Sequence, residues 1–520
     1  MIKLILVLSV LTHLSFAANI LFLGSIPSPS HHNWNKNLYY ALAKKGHNIT
    51  ILTPDADKHK TDNVHFIQAE GVYEFLESGG DELFDLFNED QKSKFTAVIE
   101  MWGYAYVASE LVLKSQGFQR LFNYPDTFKF DLVVIDYTCA PTLLGFLEKF
   151  NYPPVVGITA FSIPHYTYHF VGGHKQPSYV PHYIVDYSNK MNFIERINNY
   201  LSYFIENTYF DYVFYPKADK LMKKHFKNSK LPYITELGRK MSLALVNTHY
   251  AIEKVEPLPA NVIPVAGLQI KEPKRLDNEI EVFVNASSKG TVLFSLGTNV
   301  KSEMLSQETK ETFMKVFKDL LDYHFLWKYE SDLNIPLPKN VKIQPWLKQN
   351  DILAHPKTKA FISHCGLLGT QEATWWGIPI IGMPFFADQH KNLNGVLNAE
   401  AGVKIHHRGL TYDTLKAALL EVLENPKYLM NAKKRGSLFR DQPDKPLDRA
   451  LYWLEWAMRH KDDVQAIESP VKHLSWFVTN GNDVLLCLIV FVTPMIYLVY
   501  NIIRNIYRSN TEPTSKTKKD

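Results

Sequence analysis

Between Trp346 and Gln389 the chain reads WLKQNDILAHPKTKAFISHCGLLGTQEATWWGIPIIGMPFFADQ, an order of residue types suited to holding phosphate and sugar groups. The apolar run AFIS predicts a buried parallel strand. It leads straight into His364-Cys365-Gly366-Leu367-Leu368-Gly369, where two glycines let backbone approach a ligand closely. A helix follows, unbroken from Thr370 to Trp376 and stopped at Gly377; its N-terminal amides and dipole favour an anion. A second strand, IPIIGMP, ends at Pro384, just before Asp388 and Gln389. Such strand ends present Gly366, Gly369, His364, Glu372, Asp388 and Gln389 at one edge of a parallel sheet, where nucleotides bind. A Gly-x-x-Gly after a strand is equally compatible with a bare tight turn, so the weight rests on the whole ordered set.

A second group of chemically able residues lies near the start. His31 and His32 sit in the segment IPSPSHHNW, predicted as a loop directly after the apolar strand NILFLGS. Imidazole titrates near neutrality and suits a general base. Asp136 ends another apolar strand, DLVVID, so it reaches a carboxyl edge as well, and a carboxylate behind an imidazole fixes its tautomer and stabilises its protonated form. From the residues alone His32 rivals His31, and Asp136 could simply cap the next helix. Asp131 starts that strand, roughly 17 Å away at 3.3 to 3.4 Å per residue, and is expected to be a turn residue.

The elements that must position these groups alternate. NILFLGS is followed by the amphipathic helix KNLYYALAKKG and strand NITILTP, one βαβ unit. DLVVID, a helix from Thr142 to Phe150 and a strand from Val155 to Thr159 continue the pattern. It restarts at Gly290 with TVLFSLGTN, a helix from about Ser306 to Asp322, and strands HFLWKYE and VKIQPW. This predicts an α/β chain with a mostly parallel sheet in each half. The proline-rich stretch from Val255 to Glu272 marks the boundary region. The aromatic segment from Phe193 to Lys217 is either a helix pair in the core or a surface for apolar molecules or membrane. DKPLDRALYWLEWAMRH, Asp444 to His460, predicts a long amphipathic helix. The expected organisation is a signal peptide 1–17, a first domain 18–265, a linker 266–289, a second domain 290–460, a juxtamembrane segment 461–483, a membrane helix 484–503 and a tail 504–520.

The ends carry the addressing. Met1 to Ala17 has Lys3, an apolar run and Ser15-Phe16-Ala17, the pattern of a cleaved secretory signal. Val484 to Ile503 is uncharged and long enough to cross a bilayer, and the basic residues Arg504, Arg508, Lys516, Lys518 and Lys519 after it place the tail in the cytoplasm. Asn48-Ile49-Thr50 and Asn285-Ala286-Ser287 are then luminal glycan sequons. The net charge of +4 gives no basis for a nucleic-acid partner. With only three cysteines, Cys139, Cys365 and Cys487, no disulfide framework is expected.

The set Trp346, Gln349, His364, Gly366, Gly369, Glu372, Pro379, Pro384, Asp388 and Gln389 resembles the signature of the UDP-glycosyltransferase family, in the manner of its arthropod members. The resemblance runs from the start of the mature chain to the tail and is strongest from Phe294 to His460. It implies the GT-B fold: two Rossmann-like domains facing a cleft, with the Asp444–His460 helix crossing back to the first, plus one C-terminal transmembrane helix. By this resemblance Trp346 stacks on uracil and Gln349 bonds the uridine. His364 and the following amides hold the diphosphate, Glu372 the ribose, and Asp388 with Gln389 the sugar. Ser295, Gly297 and Thr298 end the first strand of the second half and touch the phosphates, with Lys328 standing where vertebrate relatives carry Arg. The family's base falls a fixed interval before Gly46-His47, on His31, and its FD-x-x-x-x-D pattern puts the partner at Asp136. Two positions depart: Lys348, often Pro in the family, and Leu368, often Asn in vertebrate members.

The implied activity is inverting transfer of a hexose, glucose before glucuronic acid, from a UDP-sugar to a hydroxyl of a small lipophilic acceptor such as a phenol, steroid or plant toxin. The expected partners are that UDP-sugar, that acceptor and the lipid bilayer; homo-oligomerisation is left open. The UDP-sugar is a co-substrate; neither a cofactor nor a metal is expected, since no Asp-x-Asp stands in a suitable place. Lys516 and Lys518 resemble a dilysine retrieval signal, which implies a single-pass type I protein of the endoplasmic reticulum with luminal domains. The alternative is a catalytically silent UDP-sugar or lipid binding membrane protein. His31 and Asp136 argue against it, because a retired enzyme would be free to lose them.

Overall fold

The computed structural model describes residues 17–57, 59, 61–76, 78, 92–173, 175–185, 187–253 and 255–511. The signal segment up to Phe16 and the terminal Lys516, Lys518 and Lys519 lie outside the described residues.

Two parallel sheets organise the chain. The first runs in the order β3-β2-β1-β4-β5-β6-β7, with β1 Asn19–Leu23, β2 Asn48–Thr53, β3 Val64–Gln68, β4 Leu132–Asp136, β5 Val155–Thr159, β6 Met241–Val246 and β7 Val262–Pro264. The second runs β10-β9-β8-β11-β12-β13, with β8 Gly290–Ser295, β9 Tyr323–Lys328, β10 Val341–Gln344, β11 Thr358–Ser363, β12 Ile380–Gly382 and β13 Gly402–Lys404. Helices cover both faces of the central strands, which is why LVVID, VVGIT and MSLALV are buried at every position and read as unbroken apolar runs.

Each sheet reverses its winding once, between β1 and β4 in the first and between β8 and β11 in the second. Neighbouring connections there leave in opposite directions and open a crevice beyond the strand ends. Three of those strands end on or beside a predicted site residue, β4 on Asp136, β8 on Ser295 and β11 beside His364, and β1 leads through a short connection into the helix that carries His31. The topology alone therefore brings His31 toward Asp136 and Ser295 toward His364.

The sequence expectations need correction at several boundaries. His31 and His32 are not in a loop: helix α1 spans Pro29–Lys44, and both histidines belong to its first turn. Pro29 starts that helix where a missing N–H costs nothing. The cradle helix begins at Leu367 instead of Thr370, because Gly366 serves as its N-cap. Thr142–Gly145 forms a 3₁₀ turn and only Phe146–Lys149 is α-helical. The strand in front of the second cradle stops at Ser295, leaving Gly297 and Thr298 in the turn. Strands β3, β6, β7 and β13 were not anticipated, and β7 lies within the proline-rich stretch.

The aromatic segment forms helix α2, Phe193–Tyr209, capped by a reciprocal Asn192–Glu195 pair, followed by a π turn at Phe210–Phe214. It is amphipathic in an inverted sense. Asn199, Tyr203 and Glu206 face inward, whereas Phe193, Ile194, Ile197, Tyr200, Leu201, Phe204 and Ile205 are exposed. Glu206 tolerates burial because its carboxylate accepts from Trp102 Nε1 (2.7 Å), Tyr183 Oη (2.7 Å) and His182 Nε2 (2.5 Å), with His165 Nε2 at 2.8 Å. His182 Nδ1 accepts the Ile184 amide, so Nε2 carries the proton and the cluster is a hydrogen-bond network.

Helix α3, Pro446–Arg459, returns to the first half. Its Ala450, Leu451, Leu454 and Ala457 share a core with Ile20, Phe22, Trp34, Leu132 and Val156. Arg449 Nη1 donates to the Pro264 carbonyl at 2.9 Å. Beyond it, helix α4, Asn482–Thr511, is apolar and exposed along its length and contains Pro494; it has the length and composition of a single-pass membrane anchor. Leu454 is fully buried at the clasp, so Leu454→Ala is expected to destabilise the protein by about 2–5 kcal/mol. Denaturant unfolding of the solubilised protein measures this, and the exposed Tyr452→Ala on the same helix serves as a control that moves little.

Candidate active site

One cavity of about 1070 Å³ lies between the two sheets and is lined from both. His31 and Thr138 enter from the first half. Ser295, Gly297, Thr298, Lys328, Trp346, Gln349, His364, Gly366, Gly369, Glu372, Asp388 and Gln389 enter from the second.

On the first side, His31 Nδ1 lies 3.3 Å from Asp136 Oδ2. Asp136 is buried yet held below the usual carboxylate range: desolvation opposes this, and hydrogen bonds and the nearby imidazole outweigh it. Asn35 Nδ2 donates to Oδ2 at 3.0 Å, and the Thr138 amide and hydroxyl donate to Oδ1 at 3.1 and 2.6 Å. The carboxylate is thus charged and immobile, and the edge of Phe161 packs on His31 at 5.0 Å. His32 points elsewhere. Its Nε2 is 3.3 Å from Asp57 Oδ2, its ring packs against Phe66 and Tyr39, and it does not line the cavity. Consecutive helical positions lie about 100° apart around the axis, and here that turn carries His32 away from the cavity that His31 lines.

On the second side, His364 is fitted between two glycines. A Cβ on Gly297, whose φ is +84°, would stand 2.5 Å from its Cε1, and one on Gly366 would stand 2.4 Å from its Nε2. Burial and then the Lys328 charge push the His364 pKa down to about 4, so the ring is neutral at physiological pH. Its buried Nδ1 has no hydrogen-bond partner among the described residues. The next residue, Cys365, adopts φ +64°, a strained conformation for a side-chain-bearing residue at the turn into the Gly366-capped helix, and Ala387 before Asp388 does likewise at +53°. Lys328 Nζ is 2.5 Å from Glu330 Oε1.

The remaining groups extend outward. Trp346 offers an exposed indole at the rim (58 % exposed). Gln349 Nε2 donates to Glu372 Oε2 at 2.6 Å, and burial pushes the Glu372 carboxyl up to about 7. Asp388 Oδ2 accepts from Asn392 Nδ2 at 2.9 Å and is raised by burial to about 6. Gln389 Oε1 is engaged by the Phe385 and Phe386 amides, which leaves its NH₂ as the group able to meet a ligand. The sequons lie away from the cavity: Asn48 Nδ2 donates to Asn19 Oδ1 at 3.2 Å and Asn285 Nδ2 to Glu281 Oε1 at 3.0 Å. Cys139 and Cys365 are buried free thiols, and Cys487 is exposed on the anchor helix.

Sequence reading missed the groups that lock the halves together. Gln371, fully buried beside Glu372, accepts from the Gly267 amide (3.2 Å) and Gln269 Nε2 (3.1 Å) and donates to Asn247 Oδ1 (2.9 Å). Arg435 donates to the carbonyls of Ala251 and Ile252, both at 2.7 Å. These pairs are 100 or more residues apart in the chain, and no local pattern signals them.

The raised Glu372 pKa carries a sign. The folded chain keeps a proton that the unfolded chain releases above its ordinary value of about 4.3. That contribution to stability is present below the unfolded value and lost as pH rises through about 7. Glu372→Gln does not titrate. The melting temperature of the unliganded wild type should therefore fall relative to Glu372→Gln between about pH 5 and 8, and differential scanning fluorimetry across that range measures it.

The model of the family described as UDP-glucoronosyl and UDP-glucosyl transferase matches residues 25–517. UDP-glucosyltransferase 2 of Dactylopius coccus is 32% identical over 94% of this chain and 93% of its own. UDP-glucuronosyltransferase 2B15 of Homo sapiens is 30% identical over 93% of each. The solved glycotransferase of kitacinnamycin superposes with a TM-score of 0.57 at 15% identity, over 85% of this chain and 99% of its own, a likeness of fold. The chain belongs to the UDP-glucuronosyl and UDP-glucosyl transferase family and is a UDP-sugar-dependent glycosyltransferase.

Proposed function

We propose that this protein moves glucose from UDP-glucose, with inversion, to a hydroxyl of a small lipophilic acceptor, and that His31 and Asp136 supply the base. The observation that carries this reading is the 3.3 Å His31–Asp136 contact on the wall opposite the His364 cradle, within one cavity. Asp136 holds Nδ1, so Nε2 is the nitrogen left to take the acceptor proton. The acceptor oxygen attacks the anomeric carbon as the bond to the diphosphate oxygen breaks. An α-linked donor then yields a β-glycoside, UDP departs, and the proton remains on His31 until it passes to solvent.

In this reading Trp346 stacks on uracil and Gln349 bonds the uridine, while Glu372, once ionised, accepts from the ribose hydroxyls. The turn Ser295–Thr298, neutral His364, Lys328 and the amides from Gly366 to Gly369 receive the diphosphate charge, and Asp388 with the Gln389 amide group orients the sugar. Many aromatic side chains line the first-half wall of the cavity, including Trp102, Phe161, Tyr166, Tyr168 and Tyr203, which suits an apolar acceptor. The outward apolar stripe of α2 and the anchor helix support a bilayer beside the first half; in this reading both domains are luminal in the endoplasmic reticulum.

Membranes carrying the protein are incubated with UDP-glucose and a simple phenol, and the product anomer is read by NMR. A β-glucoside is expected, with kcat reduced by about 10²–10⁴-fold in His31→Ala and by far less in His32→Ala. An α-glucoside, or wild-type turnover by His31→Ala, would refute the reading.

A further inference from the structure

Charge beside Asp388 is arranged in a way the transfer chemistry does not require. Lys391 lies three residues after Asp388, in the first turn of the helix Gln389–Asn398. Its Nζ reaches across to the first half, 3.0 Å from Glu253 Oε2 and 3.0 Å from Ser162 Oγ. Glu253 Oε1 is buried with no hydrogen-bond partner among the described residues. A second acid from the same loop, Glu256, lines the cavity together with Lys391, Ser162 and Asp388. Burial and the neighbouring Glu253 push the Glu256 carboxyl up to about 7, against the pull of Lys391. Asp388 interacts with Lys391, Glu253 and His31. Lys391 thus lies in the field of three carboxyl groups, Glu253, Glu256 and Asp388, and is already paired with the first.

This matters because the two donor types differ at one place, a neutral CH₂OH on glucose and a carboxylate on glucuronic acid. A uronate donor needs an unengaged cation near Asp388, and the cation beside it is held by Glu253. We propose that Glu253 and Glu256 are donor-selecting residues: by tying up Lys391 and placing acids instead of a free cation at the sugar end of the cavity, they make this chain accept UDP-sugars with an uncharged C6 and reject uronates. The inference rests on the assignment of Asp388 to the sugar, and it adds a physical cause and named residues to the choice of donor. Glu253 and Glu256 act through charge and through Lys391; they perform no step of the transfer.

The test uses the full-length protein in membranes with one phenol acceptor. kcat/KM for UDP-glucose and UDP-glucuronate is measured in wild type, E256Q, E253Q/E256Q and E253Q/E256Q/K391M, and binding of each donor is measured in parallel by competition against UDP. Wild type is expected to favour UDP-glucose by about 100-fold or more, the scale set by placing like charges together. E253Q/E256Q should narrow that ratio about tenfold by raising activity with UDP-glucuronate, and adding K391M should remove the gain. Should the double variant fail to fold, E256Q, which leaves the Glu253–Lys391 pair in place, should narrow the ratio by about threefold. A wild-type preference for UDP-glucuronate, an unchanged ratio in variants that bind UDP normally, or a gain that survives K391M would overturn the proposal. If donors bind without turnover, the binding ratio decides the selectivity question and the missing product counts separately against the transferase reading.

Discussion

The distance between two sheet edges is the constraint on which the rest of this structure depends. Each sheet builds one wall of the cavity at its own winding reversal: the imidazole and its carboxylate belong to one, and the His364 turn, which we propose receives the diphosphate, to the other. Gln371 fixes their separation. It is wholly buried, sits next to Glu372 on the cradle helix, and bonds to Asn247 of the first half and to Gly267 and Gln269 at the start of the linker. A buried amide left without these partners would carry its full desolvation cost, so the halves close in one register. The return helix Pro446–Arg459 adds an apolar clasp from the far side.

Within that frame the site is built from groups held away from their ordinary states. Asp136 is kept charged in a buried place by three neighbours, while Glu372 and Asp388 are pushed toward neutrality by burial that a polar ligand would relieve. Cys365 and Ala387 take left-handed conformations in two loops that reach the second-half wall of the cavity. Preorganised dipoles of this kind need little rearrangement when charge develops on a leaving group, which is where much of an enzyme's rate enhancement originates.

Much of this was legible in the sequence because the cradle is local: strand, glycines, helix and acidic residues follow one another within 44 residues, and each signal has a short-range cause. Strands β1, β4, β5, β8 and β11 were legible for the same reason, being largely apolar runs, whereas β6, with the same pattern, went unread. The secondary structure of His31 was misread although Pro29 is a helix-start signal, because SPSHHN also has the composition of a loop. Strand β7 hid among prolines and pairs over only three residues. The outward apolar face of α2 could not be read from periodicity, which gives the stripe without saying which side faces the protein. The Glu206 network and the Glu253–Lys391 pair join residues far apart in sequence, visible only after folding.

The central claim is that one imidazole, reaching the cavity from the first turn of α1, takes the acceptor proton. Removing that ring in His31→Ala leaves a space open to the cavity, so the direct measurement is glucoside formation by this variant as free imidazole is added. The account predicts little turnover without imidazole and a saturable recovery with it, at unchanged affinity for UDP. Undiminished turnover without imidazole, or no recovery while UDP still binds, would contradict it.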